Sequence, residues 1–278
     1  MKRVLILPNY LKEQSVDMAN TLSEYFFERG YDAKILEENG NPSGGADLAV
    51  VLGGDGTILR ACKKLYGTDT AIFGINFGHM GYLTGCGPDE SAECLDRIIN
   101  GDYKIENRMM LKGSVFRNGN TVYEFAALNE ATLYRAKLMR AFTANVSING
   151  KHTEALSGDG MLVATPTGST SYNLTAGGPV LTPDAENLVI TPIASKYFPQ
   201  SSIVVSGNDK IGINVEINSA YEKTDCVSLE DDADESFDIH SGDVIQIEKA
   251  EHCAKIIKVD DKSFYQILRE KLSADGNG

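Results

Sequence analysis

Residues 53–57 read Gly-Gly-Asp-Gly-Thr, directly after the nearly continuous apolar run 47–52 and directly before a second apolar stretch. A glycine turn at the carboxyl end of a buried strand, opening a helix, is where open α/β sheets bind ligands, and the free N–H groups of such a helix attract phosphate. A carboxylate beside phosphate repels it, so Asp55 needs a task of its own. It can hold a magnesium ion, or accept the proton of a hydroxyl that attacks the γ-phosphorus of a nucleotide. The alternative is an aspartate that merely fixes the turn through its own backbone. Gly53, Gly54 and Gly56 are expected to allow close backbone approach and left-handed dihedrals.

Two further stretches carry polar groups suited to a ligand. From Ser157 to Pro179 the chain reads SGDGMLVATPTGSTSYNLTAGGP, a short strand running into a loop dense in hydroxyls and glycines. Many small uncharged donors and acceptors suit a sugar or an amide better than a phosphate, although a Ser/Thr-rich turn before a helix gives the same composition. In LNEATLYR, Asn129 and Glu130 stand together in a β-patterned run. Adjacent strand residues face opposite ways, so both reach one ligand only at a bulge or a strand end. Together they can read the two hydroxyls of a ribose; alone, such a pair is also an ordinary surface dipeptide.

Other motifs are missing. The chain has no GxxxxGK[ST], and Gly74–Gly81 has the wrong spacing for GxGxxG. His79, His152, His240 and His252 form no HxxxH or HExxH spacing, and the five cysteines form no CxxC pair. His79 sits in the glycine-rich loop beside the proposed site; a structural role is the expectation.

The elements that must position these residues fall into two textures. Residues 1–107 alternate short β-rich runs with helical ones, predicting strands at 4–7, in DAKIL, at 47–52 and in TAIFGI, and helices ending near Gly30, Gly67 and Gly101. This is an open, Rossmann-like α/β domain. From 108 to 259 strands alternate with tight turns at Asn118-Gly119, Asn149-Gly150 and Ser241-Gly242, the pattern of a β-sandwich-like domain. A last helix over 260–274 has little use in an all-β domain and is expected to pack back on the first.

Composition bounds the rest. The net charge of −13, with basic residues scattered, argues against a nucleic-acid or anionic-membrane surface but leaves room for a small basic pocket. Pro8 and Asn9 cut the first apolar run short of a signal peptide, no run reaches a membrane span, and an odd cysteine count without pairs points to a reducing cytoplasm. The acidic run 230–235 reads as a solvated hairpin tip rather than a metal site.

Taken together, GGDGTILRA, GINFGHMGYLT, NRMML, LNEATLYR, DGMLVATPTGSTSYNLTAGGP and LVITPIA resemble the NAD kinase family in order and spacing, over most of the chain from Val4 to Leu272. GGDGT is shared with lipid kinases and loosely with phosphofructokinases, whereas TPTGSTSYN with the Asn-Glu pair is more specific. The resemblance implies transfer of the γ-phosphate of ATP, with magnesium, to the 2′-hydroxyl of the adenosine ribose of NAD. It makes Asp55 the proton acceptor and lines the nucleotide sites with Gly53, Gly54, Gly56, Thr57, Leu59 and Arg60. Asn129 and Glu130 would contact the dinucleotide, as would Asp159, Thr167, Thr170, Ser171 and Tyr172. Tyr82 would lie beside the adenosine, and Ala194 would close the pocket. It also implies a homodimer or homotetramer. The chain departs from the family in SKYFPQSS, with Lys196 and Gln200, and in LEDDADES, where an Asp-Gly pair is common. A lipid kinase sharing GGDGT and a non-catalytic dinucleotide sensor are the alternatives.

Overall fold

Apolar runs that are buried on both faces form parallel strands, and amphipathic helices cover them. The computed structural model describes residues 2–42, 44–78, 81–135, 142–195, 201–217, 227–232 and 235–275. The chain divides into two units, Met1–Asn107 with Ala254–Gly278, and Arg108–Cys253.

The first unit opens with β1 (Arg3–Pro8), α1 (Glu13–Glu28), β2 (Asp32–Ile35), β3 (Leu48–Leu52), α2 (Asp55–Lys64), β4 (Ala71–Ile75), α3 (Ser91–Ile99) and β5 (Lys104–Arg108). α1 turns Ala19, Leu22 and Phe26 inward and ends at Gly30, whose φ of +79° suits a residue without Cβ. The sheet order is β2-β1-β3-β4, then Ala254–Lys258, then β5. β1 pairs in parallel with both β2 and β3. The strand order therefore reverses at β1/β3, and the carboxyl ends there carry Asn9 and Gly53. Asn9 N–H donates to the Leu52 carbonyl at 3.0 Å, and Gly53 N–H to that of Ile75 at 2.9 Å.

The second unit comprises β6 (Leu111–Arg117), β7 (Asn120–Ala127), β8 (Glu130–Arg135), β9 (Phe142–Ile148), β10 (Lys151–Gly158), β11 (Gly160–Ala164), the short helix α4 (Tyr172–Thr175), β12 (Asn187–Ile193), β13 (Ile203–Ser206), β14 (Ile211–Glu216), β15 (Val227–Asp231), β16 (Glu235–Ile239) and β17 (Val244–Lys249). Among the described residues they form two six-stranded sheets, β10-β9-β14-β17-β6-β7 and β13-β12-β11-β8-β15-β16. One apolar cluster joins side chains of both, including Leu111, Val146 and Ile213 from the first sheet and Leu133, Val163 and Leu229 from the second. This is the sandwich core. The β6–β7 and β9–β10 hairpins turn on Asn118-Gly119 (φ +52° and +80°) and Asn149-Gly150 (φ +52° and +75°), the doubly positive turns that match strand twist.

The chain then returns. Ala254–Lys258, β18, pairs in parallel with β4, and the helix Phe264–Asp275, α5, follows. Ala254–Lys258 therefore belongs with the first sheet and not, as expected for residues up to 259, with the β-rich domain, because a five-residue strand carries no mark of which sheet it joins. In α5, Tyr265 and Leu272 are 66% and 51% exposed.

Candidate active site

Asp55 is the first residue of α2, where a carboxylate is favoured by the free N–H groups of the helix. Its side chain also reaches across to the loop after β4, accepting the N–H of Tyr82 at 2.8 Å and of Leu83 at 3.1 Å. Gly81 makes this approach possible, since a Cβ there would overlap the Asp55 carboxylate. On its far side the loop is held by Lys258, 7% exposed, which donates to the carbonyls of Tyr82 at 3.1 Å and Thr84 at 3.3 Å. Asp55 therefore does fix backbone, though not its own. One N–H on each oxygen still leaves each a lone pair for a further donor. Gly81→Ala is expected to lower stability by about 1–3 kcal/mol. An unchanged urea midpoint would show that the loop is not clamped this way.

The glycines of the motif work differently from expectation. None of Gly53, Gly54 and Gly56 has a positive φ. Gly53 is needed for space, because a Cβ would overlap the Thr57 side chain, whereas a Cβ at Gly56 would meet open space. Beside them, at the β1/β3 switch point, lies a cavity of about 330 Å³ lined by Asn9, Tyr10, Glu37, Thr57, Arg60 and Lys64, among others. Leu59 is 9% exposed on α2.

In the second unit the antiparallel register of β11 on β8 sets Ala164 opposite Glu130. The end of one strand thus lies beside the start of the other, and two motifs far apart in sequence meet. Thr165 N–H donates to the Asn129 carbonyl at 2.8 Å, and a Cβ at Gly168 would overlap that same carbonyl. Asn129 sits at the strand end, which frees it from strict alternation. Ser171 Oγ donates to Glu130 Oε1 at 3.2 Å, and the Tyr172 N–H also faces this carboxyl. Burial pushes the Glu130 carboxyl up to about 8, the charge of Asp232 adds to this, and the Ser171 and Tyr172 donors oppose it. Among the described residues, Glu130 Oε2 and Thr167 Oγ1 are buried side-chain oxygens with no hydrogen-bond partner. Buried groups of this kind are normally satisfied, so each is a place for a ligand atom or water.

Several hydroxyls of the loop are already engaged. Thr165 Oγ1 donates to the Leu128 carbonyl, Ser169 Oγ to that of Pro166, and Thr170 Oγ1 to that of Thr167 at 3.2 Å. The fully buried Asn173 ties the segment together, donating to the Ser169 and Pro179 carbonyls and accepting from Thr191. Tyr172 is 42% exposed.

Asp159 and Ala194 lie at the opposite end of the same strands, since Gly160 is opposite Tyr134 on one side and Ile193 on the other. Four residues along β11 separate the two ends, roughly 13 Å. Asp159 pairs with Arg135 at 2.8 Å, and Ala194 has a φ of +45°.

Asp231 and Asp232, in the acidic run, face inward instead of into solvent. Asp231 is 1% exposed, and Asp232 accepts the N–H groups of Leu128 at 2.6 Å, Asn129 at 2.9 Å and Glu130 at 3.2 Å. Like charge predicted a solvated tip, but three backbone donors converge on one carboxylate. The available signal was the departure from the family's Asp-Gly pair. Lys258 and Asn173 had no such signal. His79, Lys196, Gln200, Ala233 and Asp234 lie outside the described residues.

The profile of the ATP-NAD kinase N-terminal domain matches residues 12–103, and that of the ATP-NAD kinase C-terminal domain matches residues 128–259. Curated NAD kinases of Natranaerobius thermophilus and Caldanaerobacter subterraneus are 32% and 34% identical over 286 residues, covering 98% of this chain and 98% and 99% of their own. An NAD kinase of Archaeoglobus fulgidus in complex with ATP is similar at a TM-score of 0.77 and 26% identity, over 98% of this chain and 99% of that one. Yeast NADH kinase complexed with NADH shares the fold at a TM-score of 0.84 and 21% identity, over 98% and 88%.

Proposed function

Because the chain belongs to the ATP-NAD kinase family, we propose that it transfers the γ-phosphate of ATP to the 2′-hydroxyl of the adenosine ribose of NAD, forming NADP. The observation that carries this reading is the pair of unsatisfied buried oxygens on Glu130 and Thr167, set where two family motifs meet. A carboxylate and a hydroxyl are suited to ribose hydroxyls, and Asn129 supplies an amide beside them. The opposite end of β11, with Asp159 and Ala194, gives a dinucleotide a second place to be held.

The donor nucleotide takes the cavity at the β1/β3 switch point, where α/β sheets bind nucleotides, with Arg60 and Lys64 among its lining residues. Asp55 accepts the 2′-hydroxyl proton as that oxygen bonds to the γ-phosphorus; the bond to the β–γ bridging oxygen breaks and ADP leaves. Among the described residues no three metal-ligating side chains cluster. Magnesium needs none, since it is commonly held by phosphates, water and one or two carboxylates, and so enters with ATP as substrate. Among the described residues no helix is long and apolar enough to cross a membrane. A cytoplasmic location and a homodimer or homotetramer complete the proposal.

The test is purified protein with magnesium-ATP and NAD, coupled to an NADP-specific dehydrogenase. Steady absorbance change dependent on both substrates is expected. Calorimetric NAD binding without product would favour a dinucleotide sensor instead; no NAD binding at all would remove the dinucleotide from the reading.

A further inference from the structure

The turn after β15 places a non-glycine residue in the left-handed region: Asp232 has a φ of +45°. Aspartate tolerates this conformation better than most residues, but it remains less favourable there than glycine. Something must compensate, and the side chain supplies it. Its two oxygens receive three consecutive backbone N–H groups, Leu128 on Oδ2 and Asn129 and Glu130 on Oδ1, while its own N–H donates to the Glu130 carbonyl at 3.3 Å. The segment held is the strand start that bears the proposed ribose-reading pair. The first sheet neighbour alone does not hold it so tightly, because β15 pairs with β8 only from Asp231 opposite Ala131 onward.

We propose that Asp232 is the positioning residue of the acceptor site: its carboxylate fixes the backbone of Asn129 and Glu130 for the ribose and places a negative charge beside the Glu130 carboxyl. This rests on the reading that Asn129 and Glu130 bind the ribose of NAD. The groups facing the Glu130 carboxyl are Asp232, the Ser171 hydroxyl and the Tyr172 N–H. Only Asp232 adds negative charge among these three. Burial, with the neighbouring Asp231 charge adding to it, holds the Asp232 carboxyl up at about 6 against the pull of its three N–H donors, so at neutral pH it is ionised while Glu130 is mostly protonated. Two carboxyls at one strand start thus divide the work by environment. One anchors as an anion and the other can change its charge when a ligand arrives.

Two variants test this. Asp232→Gly suits the positive φ and removes the carboxylate; Asp232→Asn keeps the volume and an acceptor oxygen but loses the charge and turns an amide N–H₂ toward one of the three donors. In Asp232→Gly the KM for NAD is expected to rise about tenfold or more, with kcat within about threefold of the parent, as befits lost positioning of a bound substrate. In both variants the pH at which NAD affinity levels off, read by calorimetry, should move lower. A merely structural residue would not move that profile. Parent-like KM and an unshifted profile in Asp232→Gly would overturn the proposal; if that variant does not fold, an unshifted profile in Asp232→Asn overturns it equally. A parent protein that binds no NAD would instead show that the ribose reading itself is wrong, and the proposal falls with it.

Discussion

Replacement of Asp55 by asparagine is expected to lower kcat for phosphate transfer by roughly 10³-fold, the usual contribution of a general base. The geometry makes this a demanding test, because Asp55 has two tasks. Its oxygens accept the N–H groups of Tyr82 and Leu83, and asparagine can keep only one of those bonds. Loss of the loop contact alone would weaken the binding of whatever the loop touches; loss of the base would leave binding intact and slow the chemical step. Measuring NAD affinity by calorimetry beside steady-state turnover separates the two. A fall in kcat of this size with affinity changed less than about tenfold assigns the loss to proton transfer. Near-normal turnover would remove Asp55 from the chemistry and leave it as the anchor of the loop.

The second large effect belongs to Glu130. With its carboxyl held up at about 8 by burial and by the Asp232 charge, only about a tenth is ionised at pH 7. A ribose hydroxyl donating to the carboxylate favours the ionised form, so NAD binding releases a proton. Affinity is then expected to rise about tenfold between pH 7 and pH 9, flattening above 8. Glu130→Gln should abolish this dependence and weaken binding at pH 8.5 by about tenfold or more. Calorimetry in buffers of different ionisation enthalpy reads both the affinity and the proton release.

The same variant should be more stable than the parent. The folded carboxyl titrates near 8 and its ordinary value is 4.5, so the folded state binds the proton more tightly. Its contribution to stability is therefore fully present below about 4.5 and is lost as pH rises through about 8. Glutamine escapes that loss. Urea midpoints should favour Glu130→Gln by a few kcal/mol at pH 8 and by about nothing at pH 4.5, a stability gained at the expense of binding. An equal difference at both values would show that the carboxyl is not held protonated by the fold.

How much of this was legible in the sequence depends on the range of the interaction involved. Residues 1–107 announced their strands and helices because burial imposes period 2, continuous apolar runs or period 3.6 on neighbouring residues. The hairpins announced themselves because doubly positive turns select Asn-Gly, as at Asn118-Gly119 and Asn149-Gly150. Motif order and spacing sufficed for the family and offered Asp55, Asn129 and Glu130 as candidates. All of these are local signals.

The tertiary structure decided which groups meet. Asp232 lies about a hundred residues beyond the backbone it holds, and its charge suggested water rather than three N–H donors. Lys258 braces the Asp55 loop from 174 and 176 residues away, on a strand whose sheet the sequence could not identify. Gly81 is a glycine because of a carboxylate at the start of α2, not because of its own turn. Which side-chain oxygens remain open also waited on packing, since Thr165, Ser169 and Thr170 hydroxyls are turned to carbonyls while Thr167 Oγ1 and the Glu130 Oε2 carboxyl oxygen are not. Composition and periodicity act between neighbours along the chain and so determined the elements and the chemical inventory. Long-range hydrogen bonding and burial act between neighbours in space, and they alone determined which of those groups is anchored and which is left to bind.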